Sequence, residues 1–404
     1  MTATRCRTLL TLMLVSIGIA ARAGTLADAL VWQDATGSTW LQASLSAELT
    51  AYQSDEPPPA LILDADGSFL QPRLTLLADA GISDRLVAHA TLNADRGLDP
   101  GYRPQGQLRF DEYFLQARVL DKVRGQLRIG KFATVFGRWI SRHRAADNPF
   151  ISAPALYEDM LPATDTGVPA TVAAFLGRRD RPEVKPAWLP VVWGPSYTTG
   201  GSVAAAFGSV EIAVEAKNAG LASRPAAWDI FEEGWETEPV WTGRIAWRPG
   251  PEVTLGLSYS TGPYLRSRTR SELPAGRSVD DYRQTTTALD LSWERRQWQL
   301  WVEAMRASFD VPAVGTVDMT GAFAELRYKF ALHWWLAARW NRSAFDDVPG
   351  TATAWDRTLQ RTDLALGYRQ NRDLTFKLEW NRGSQAGGNV MGRNVVALQM
   401  VLAL

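Results

Sequence analysis

The stretch LQASLSAELTA, residues 41–51, alternates without a break: Leu41, Ala43, Leu45, Ala47, Leu49 and Ala51 are apolar, and Gln42, Ser44, Ser46, Glu48 and Thr50 between them are polar. Successive side chains of a strand point to opposite faces, so the pattern predicts a β-strand with one wholly apolar face. The same period returns at Leu74, Leu76 and Ala78 against Arg73, Thr75 and Asp79. It recurs at Leu86, Ala88, Ala90 and Leu92 against Arg85, His89, Thr91 and Asn93, and at Val210, Ile212, Val214 and Ala216 against Glu211, Ala213, Glu215 and Lys217. A soluble sandwich uses such strands too, and their number separates the two readings.

Followed to the end, the period places strands near 39–52, 68–80, 85–95, 107–119, 125–132, 197–206, 209–218, 240–248, 253–261, 284–294, 297–307, 318–329, 333–342, 357–369, 373–382 and 392–404, sixteen in all. After the first strand, long connections alternate with tight ones at Gly81 to Asp84, Leu120 to Arg124, Phe207-Gly208, Pro249 to Glu252, Arg295-Arg296, Phe330 to Leu332 and Gln370 to Arg372. Short turns at one end and long loops at the other are the pattern of a bacterial outer-membrane barrel with both termini on the periplasmic side. The expected fold class is therefore all-β, a transmembrane antiparallel barrel.

The N-terminus agrees with export. Arg5 and Arg7 precede an apolar stretch from Leu9 to Ala20, too short to span a bilayer, and Ala21-Arg22-Ala23 is a small-x-small cleavage site, so 1–23 reads as a cleaved signal peptide and 24–404 as one barrel domain. The single cysteine, Cys6, lies in the discarded piece, which leaves the mature chain without thiol chemistry. Removing Arg5, Arg7 and Arg22 from the 43 basic residues leaves 40 against 43 acidic, a net charge of about −3 that argues against nucleic acid as a partner. The remaining chain carries no second apolar run near 18 residues yet holds 17 tryptophans. Trp241 and Trp247, Trp334 and Trp340, Trp293 and Trp298, Tyr328 and Tyr368 fall at strand ends, as do Trp40, Tyr52, Tyr259 and Trp380. Aromatic girdles at two membrane interfaces predict that placement, whereas a soluble core favours strand centres. Two places fit less well: Lys131 falls on the outward phase, and Gln107 to Val119 reads outward only from Tyr113 through Leu115, Ala117 and Val119, which predicts a shift or bulge.

The segment FLQARVLDKVRGQLRIGKFATVFG, residues 114–137, resembles Gram-negative outer-membrane porins, including the phosphate-selective group: a strand after the inward acid Glu112 turns back into a Gly-Lys-Phe strand, and Phe136-Gly137 opens the third outer loop. Strand count and loop order extend the resemblance over most of the chain. The end departs from it, since Leu404 stands where porins carry a terminal aromatic. The resemblance implies a water-filled channel for small polar or anionic solutes, embedded in outer-membrane lipid and lipopolysaccharide, without cofactor, and assembled as a homotrimer.

It further implies that the longest connection, 133–196, folds into the barrel and narrows it. Arg138, Arg142, His143 and Arg144 precede Glu158, Asp159 and Asp165 in that loop, a set expected to face across the constriction and sort solutes by charge. Alternatively, Val168 to Leu176 or Trp188 to Trp193 forms another hairpin, giving 18 strands, although Pro190 interrupts the second. Arg178, Arg179 and Arg181 suit lipopolysaccharide phosphates at the rim. The lumen face carries Arg73, Arg118, Arg128, Arg244, Arg327, Arg339, Arg361, Arg369 and Arg393, mixed with Glu112, Glu211, Glu215, Asp290, Glu294, Glu303, Glu325, Asp363 and Glu379. Charges of both signs on one wall more often form stabilising networks than a transport track. Phe114, Trp301, Phe323 and Trp335 also point inward, as a sugar track or as packing beneath the loop.

Enzymatic function has little support in the sequence: His89, His143 and His333 lie on distant segments without metal spacing, and no serine sits in a Gly-x-Ser-x-Gly elbow. The alternatives to a diffusion channel are a barrel that sheathes a partner protein and a barrel-wall enzyme such as a lipase.

Overall fold

The computed structural model describes residues 30–55, 68–96, 106–181, 186–233, 237–385 and 393–404. The segment read as a signal peptide lies outside them. The strands are β1 (Val31–Gln33), β2 (Trp40–Ser54), β3 (Ser68–Ser83), β4 (Leu86–Asp95), β5 (Gln107–Leu120), β6 (Gly125–Phe132), β7 (Thr198–Phe207), β8 (Val210–Lys217) and β9 (Val240–Gly250). They continue as β10 (Val253–Pro263), β11 (Arg283–Arg295), β12 (Trp298–Val311), β13 (Gly315–Tyr328), β14 (Trp334–Phe345), β15 (Leu359–Arg369), β16 (Leu374–Gln385) and β17 (Arg393–Ala403). From β2 onward each pairs antiparallel with the next, and β17 returns to β2 with Leu398 opposite Ala51. The sixteen expected strands thus close into a ring. Closure pairs the ladder groups of every strand, which is what lets strands rather than helices occupy hydrocarbon. No helix among the described residues is long and apolar enough to cross a membrane.

The short β1 was not foreseen, and its reason is local. β17 pairs with β2 only as far as Ser46, so the backbone of Trp40, Leu41 and Gln42 faces an empty edge, and β1 folds back to pair with those three residues. One expected loop also shrinks: β12 and β13 run on until only Pro312 to Val314 joins them.

Outward positions are apolar and open, among them Leu74, Leu115, Ile245, Leu289, Leu364 and Leu378. Much of the girdle is where the sequence places it, with Trp241, Trp247, Tyr259, Trp298, Trp334 and Trp340 all exposed. Trp298 stacks on Tyr328 across the β12–β13 pair at 4.2 Å, and Trp334 lies 4.6 Å from Tyr368 across β14–β15. Trp40 and Tyr52 correct that expectation, because both share the phase of Ser44 and Glu48 and face the lumen.

The irregular strand is bulged. Thr91 faces Glu112 and Leu92 faces Phe110, so Asp111 is the extra residue and the outward phase changes there. Phe110 and Leu115 are therefore both outside, while Asp111 and Glu112 are both buried inside. Lys131 does face outward, yet it is not exposed: its ammonium donates to the Phe110 carbonyl at 2.8 Å and lies 3.4 Å from Asp229, which also accepts from Tyr113.

The protein is inside out relative to a soluble domain, with its packed core in the lumen. Residues 133–197 fold inward as short turns, α1 (Ala155–Glu158) and α2 (Val172–Leu176). Segment 168–176 thus supplies a helix rather than a strand, and 188–193 makes a single bridge, Leu161 to Leu189, so the 18-strand alternative falls. Phe136, Tyr157, Val192 and Trp193 are fully buried against Met305, Phe309, Phe323 and Trp355. Gly321 is required here, since a Cβ would sit 2.4 Å from a Leu156 methyl.

Candidate channel and its loop

Why the long loop stays inside follows from its partners on β12 to β16. Facing residues of β13, β14 and β15 form a buried row in which Arg339 donates to Glu325 at 3.0 Å and Asp363 at 2.6 Å. Each unit charge buried there needs partners, and the row satisfies itself while presenting spare groups to the loop. Glu379 of β16 accepts from the Ile151 and Ser152 backbone N–H groups and from the Ser152 hydroxyl. Asn341 accepts from the Ala155 N–H at 3.0 Å, Arg361 donates to Glu158 at 2.6 Å, and Lys377 donates to the Ala145 and Phe150 carbonyls. Glu303 of β12 accepts from the Arg138 N–H at 2.9 Å and from the Tyr157 hydroxyl. Apart from Arg144, residues 138–158 are thus fastened to one wall.

The opposite side stays open. A passage of about 470 Å³ runs between the loop and the β2–β3–β4 wall, closed laterally by β16 and β17. Its wall side is lined by Ser44, Ser46, Glu48, Thr50 and Tyr52 of β2, by Gln71, Arg73 and Thr75 of β3, and by Thr91 and Asn93 of β4. Its loop side is lined by His143 to Asn148 and Phe150 to Ala153, with Trp193 and Tyr197. Lumen ion pairs are numerous: Arg73 meets Asp95 at 3.1 Å and Glu48 at 3.8 Å, and Arg109 holds Asp95 and Asp111.

The expected constriction residues are dispersed. Arg142 turns to the far wall, where it is buried with Glu325 and lies 4.1 Å over the Trp301 ring. Arg138 sits near Arg244 and Asp290, and burial, with Arg244 and Arg248, lowers its pKa. Only Arg144 of the three faces the passage, half exposed and 3.4 Å from Glu112. The cluster of three arginines expected from the sequence therefore does not form, because successive loop residues are claimed by different strands.

His143 bonds to the Tyr197 hydroxyl and the Ile140 carbonyl, and burial lowers its pKa below the usual imidazole value. Burial pushes the Glu158 carboxyl up to about 7 against the pull of Arg361, with Asp159 adding to the rise. Glu158 lines the passage, Asp159 is buried 3.3 Å from Arg361, and Asp165 is buried elsewhere, 2.8 Å from Arg224. Burial raises Asp165 as well.

Among the lumen arginines, Arg244 pairs with Asp290, Arg339 and Arg361 belong to the loop-holding row, and Arg73 lines the passage. Arg118 is exposed at the periplasmic end, Arg128 donates to Gln116 at 3.0 Å, and the side chain of Arg393 lies outside the described ones. The inward aromatics lie under the loop: Trp301, Phe323 and Trp335 are buried, and Phe114 stacks on His89 at 4.7 Å. They do not form a water-facing track. Arg179 donates to the Ala354 carbonyl and Arg178 to that of Gly167, which ties both into the outer loops and leaves Arg181 exposed. Sequence reasoning missed the loop-holding role of Asn341, Lys377 and Glu379. The only signal was the density of polar inward residues on β14 to β16.

No protein-family model matches the chain, and no curated protein matches it in sequence. Solved structures do resemble it. The anion-selective porin of Comamonas acidovorans superposes over 91% of this chain and 100% of its own, with a TM-score of 0.57 at 10% identity. The chain has the porin fold. OmpF of Salmonella typhi overlaps 92% of this chain and 100% of its own at 8% identity and TM-score 0.57. In-vitro folded OmpT of Vibrio cholerae, an outer membrane protein in a trimer form, overlaps 91% and 100% at 9% identity and TM-score 0.57. OmpT corrects one expectation. The sequence reading set enzymes aside, but a porin-fold barrel shares its architecture equally with OmpT, described only as an outer membrane protein, so the fold does not settle the chemistry of the wall.

Proposed function

We propose that the protein is an outer-membrane channel through which small polar solutes, anions among them, diffuse. One observation carries this reading: the passage is lined by alternate β2 residues from Ser44 near the periplasmic end to Tyr52 near the outer end. At about 3.4 Å per residue those eight steps run roughly 27 Å along a strand tilted about 40°, so they cover roughly 20 Å of the ~25 Å height of an outer-membrane apolar band. A lumen sealed by its loop, as a sheath for another protein would have, is disfavoured by that water-sized space extending along most of the β2 wall. In planar bilayers the purified protein is expected to give discrete conductance steps. Silence at concentrations where a known porin conducts would defeat the proposal.

The setting follows from the outer surface. Its apolar band suits outer-membrane lipid, and the exposed Arg181 suits lipopolysaccharide phosphates at the rim. A homotrimer is supported by an asymmetry: among the described residues, outward positions of β17, β2, β3 and β4 are mostly Leu and Ala, with Val396, Met400, Pro72 and Ile82 but no aromatic, while β9 to β16 carry the girdle. Aromatic side chains anchor lipid-facing walls, so an arc without them suits contact with further copies. In cold detergent the protein is expected to migrate as a trimer and, after boiling, at its monomer mass. A single folded monomer band before boiling would refute the trimer, and unchanged mobility on boiling would refute the closed barrel.

A further inference from the structure

Almost every arginine facing the middle of the lumen has a carboxylate partner: Arg73, Arg109, Arg142, Arg244, Arg339 and Arg361 all lie within 4 Å of one. Below the loop, at the periplasmic end, the pattern stops. Arg327 of β13 and Arg369 of β15 make no ion pair among the described residues. Their partners are neutral: Arg327 donates to the Gln299 side-chain carbonyl at 2.9 Å, and Arg369 donates to the Ala146 backbone carbonyl at 3.2 Å. Arg369 faces Thr375 in the strand register, two residues from Lys377, so those two cations lie side by side on the wall, with Glu379 two residues further along β16. No acid among the described residues pairs with either guanidinium. Glu294 is held by the Gln299 amide at 3.1 Å and stays outside ion-pair reach of Arg327, and Asp147 pairs with none of the three cations.

The placement is built rather than incidental. In the strand register Trp335, Gly367 and Lys377 form one inward row, with Arg327 and Arg369 on either side of it along the wall. The Trp335 indole lies flat against Gly367, where a Cβ would stand 1.9 Å from the ring. The Arg327 guanidinium covers that indole at 4.7 Å, and its Nε, though buried, has no hydrogen-bond partner. Stacking and the Gln299 bond hold the planar group in one orientation with donors left over. Arg369 and Lys377 grip the Ala146 and Ala145 carbonyls, and those two loop residues line the passage, so the cations adjoin the solute's route.

The geometry points to an anion-holding shelf at the periplasmic mouth, made by Arg327 and Arg369 with the field of Lys377, whose ligands are small carboxylates. A carboxylate matches the guanidinium fork, and here it meets donors whose charge no protein acid has neutralised. Arg327 and Arg369 are the binding residues; Lys377, buried and tied to the loop, adds charge beside them. The shelf sits on one side of the narrow passage only, so its effect is directional. Carboxylates arriving from the periplasm reach it directly, and those from outside must first cross the passage. Its role as a station on a solute route rests on the channel reading, whereas its capacity to bind does not.

The test compares the parent with the double variant Arg327→Ser, Arg369→Ser, using succinate as the probe. Titrated into the detergent-folded proteins by calorimetry, succinate is expected to bind the parent and to lose at least tenfold in affinity in the variant, with both still heat-modifiable. In bilayers succinate added to the periplasmic side is expected to reduce the chloride current of the parent at a concentration at least several-fold lower than from the outer side. The zero-current potential in a salt gradient should shift toward cations in the variant. Equal succinate binding by both proteins overturns the shelf. So does side-independent block that the substitutions leave unchanged. Arg327→Lys, Arg369→Lys keeps the charge without the fork and is expected to recover selectivity but little of the succinate affinity. Loss of binding in the variant together with electrical silence in both proteins would uphold the shelf and overturn only the channel.

Discussion

Glu379→Ala is expected to raise the single-channel conductance about twofold, because the loop occupies one side of a lumen that sixteen strands make wide enough for an aqueous channel. The Glu379 carboxylate accepts from the Ile151 and Ser152 N–H groups and from the Ser152 hydroxyl, which Arg339 also reaches. Hydrogen bonds to a charged group contribute about 1.5–3 kcal/mol each, so losing three loosens Ile151 and Ser152, which then keep the wall through Arg339 at the Ser152 oxygens, while Lys377 and Arg361 still hold the Phe150 and Ala153 carbonyls. The barrel survives the change. Arg339 keeps Glu325 and Asp363, and Lys377 keeps its two loop carbonyls, so no buried cation is orphaned. The recordings should also show flicker as the freed segment moves. Glu252→Ala, which removes only an exposed ion pair with Arg295 on a periplasmic turn, is the control and should leave conductance unchanged. Unaltered conductance in Glu379→Ala would mean that the loop is held by its aromatic packing and by Arg339, Arg361 and Lys377, and not by the β16 carboxylate.

A larger energetic effect is expected on the last strand. Leu398 faces outward opposite Ala51 and Leu378, and Gln399 beside it faces inward, buried, donating to the Thr50 hydroxyl at 3.1 Å and lining the passage. Leu398→Arg should cost about 2–4 kcal/mol of folding free energy, since the guanidinium would enter the apolar band. Gln399→Arg should fold, because the same group placed one residue later reaches water in the passage, where it narrows the route and lowers conductance. Folded fractions on unboiled gels after refolding into lipid, or urea titrations of the two variants, separate the outcomes. Equal folding of the two would show the phase of β17 to be reversed.

How far the sequence could be read follows from these positions. Leu398 and Gln399 were assigned from alternation alone, as was nearly every strand, because a membrane barrel imposes one rule on each outward position and that rule is local. The bulge at Asp111 was also detectable, as a phase that failed to continue. Tyr52 and Trp40 show the limit: proximity to a strand end suggested the interface, but parity decided the face.

The channel itself was legible only in outline. Loop 133–196 declared itself by length, and its inward course by resemblance, yet the sequence could not say which wall would claim it. Arg138, Arg142 and Arg144 are neighbours in the chain and were expected to act together, but Arg142 binds Glu325, the Arg138 backbone binds Glu303, and Arg144 meets Glu112. Those acids come from β13, β12 and β5, strands brought around one lumen only when the ring closes. By itself the sequence determined the barrel, its sixteen strands and which residue of each pair faces lipid, because period 2 and the apolar band are properties of neighbours along the chain. Tertiary structure alone decided where the water runs and which cations remain unpaired, because a charge is neutralised by what lies across the lumen from it, and that distance is set by closure.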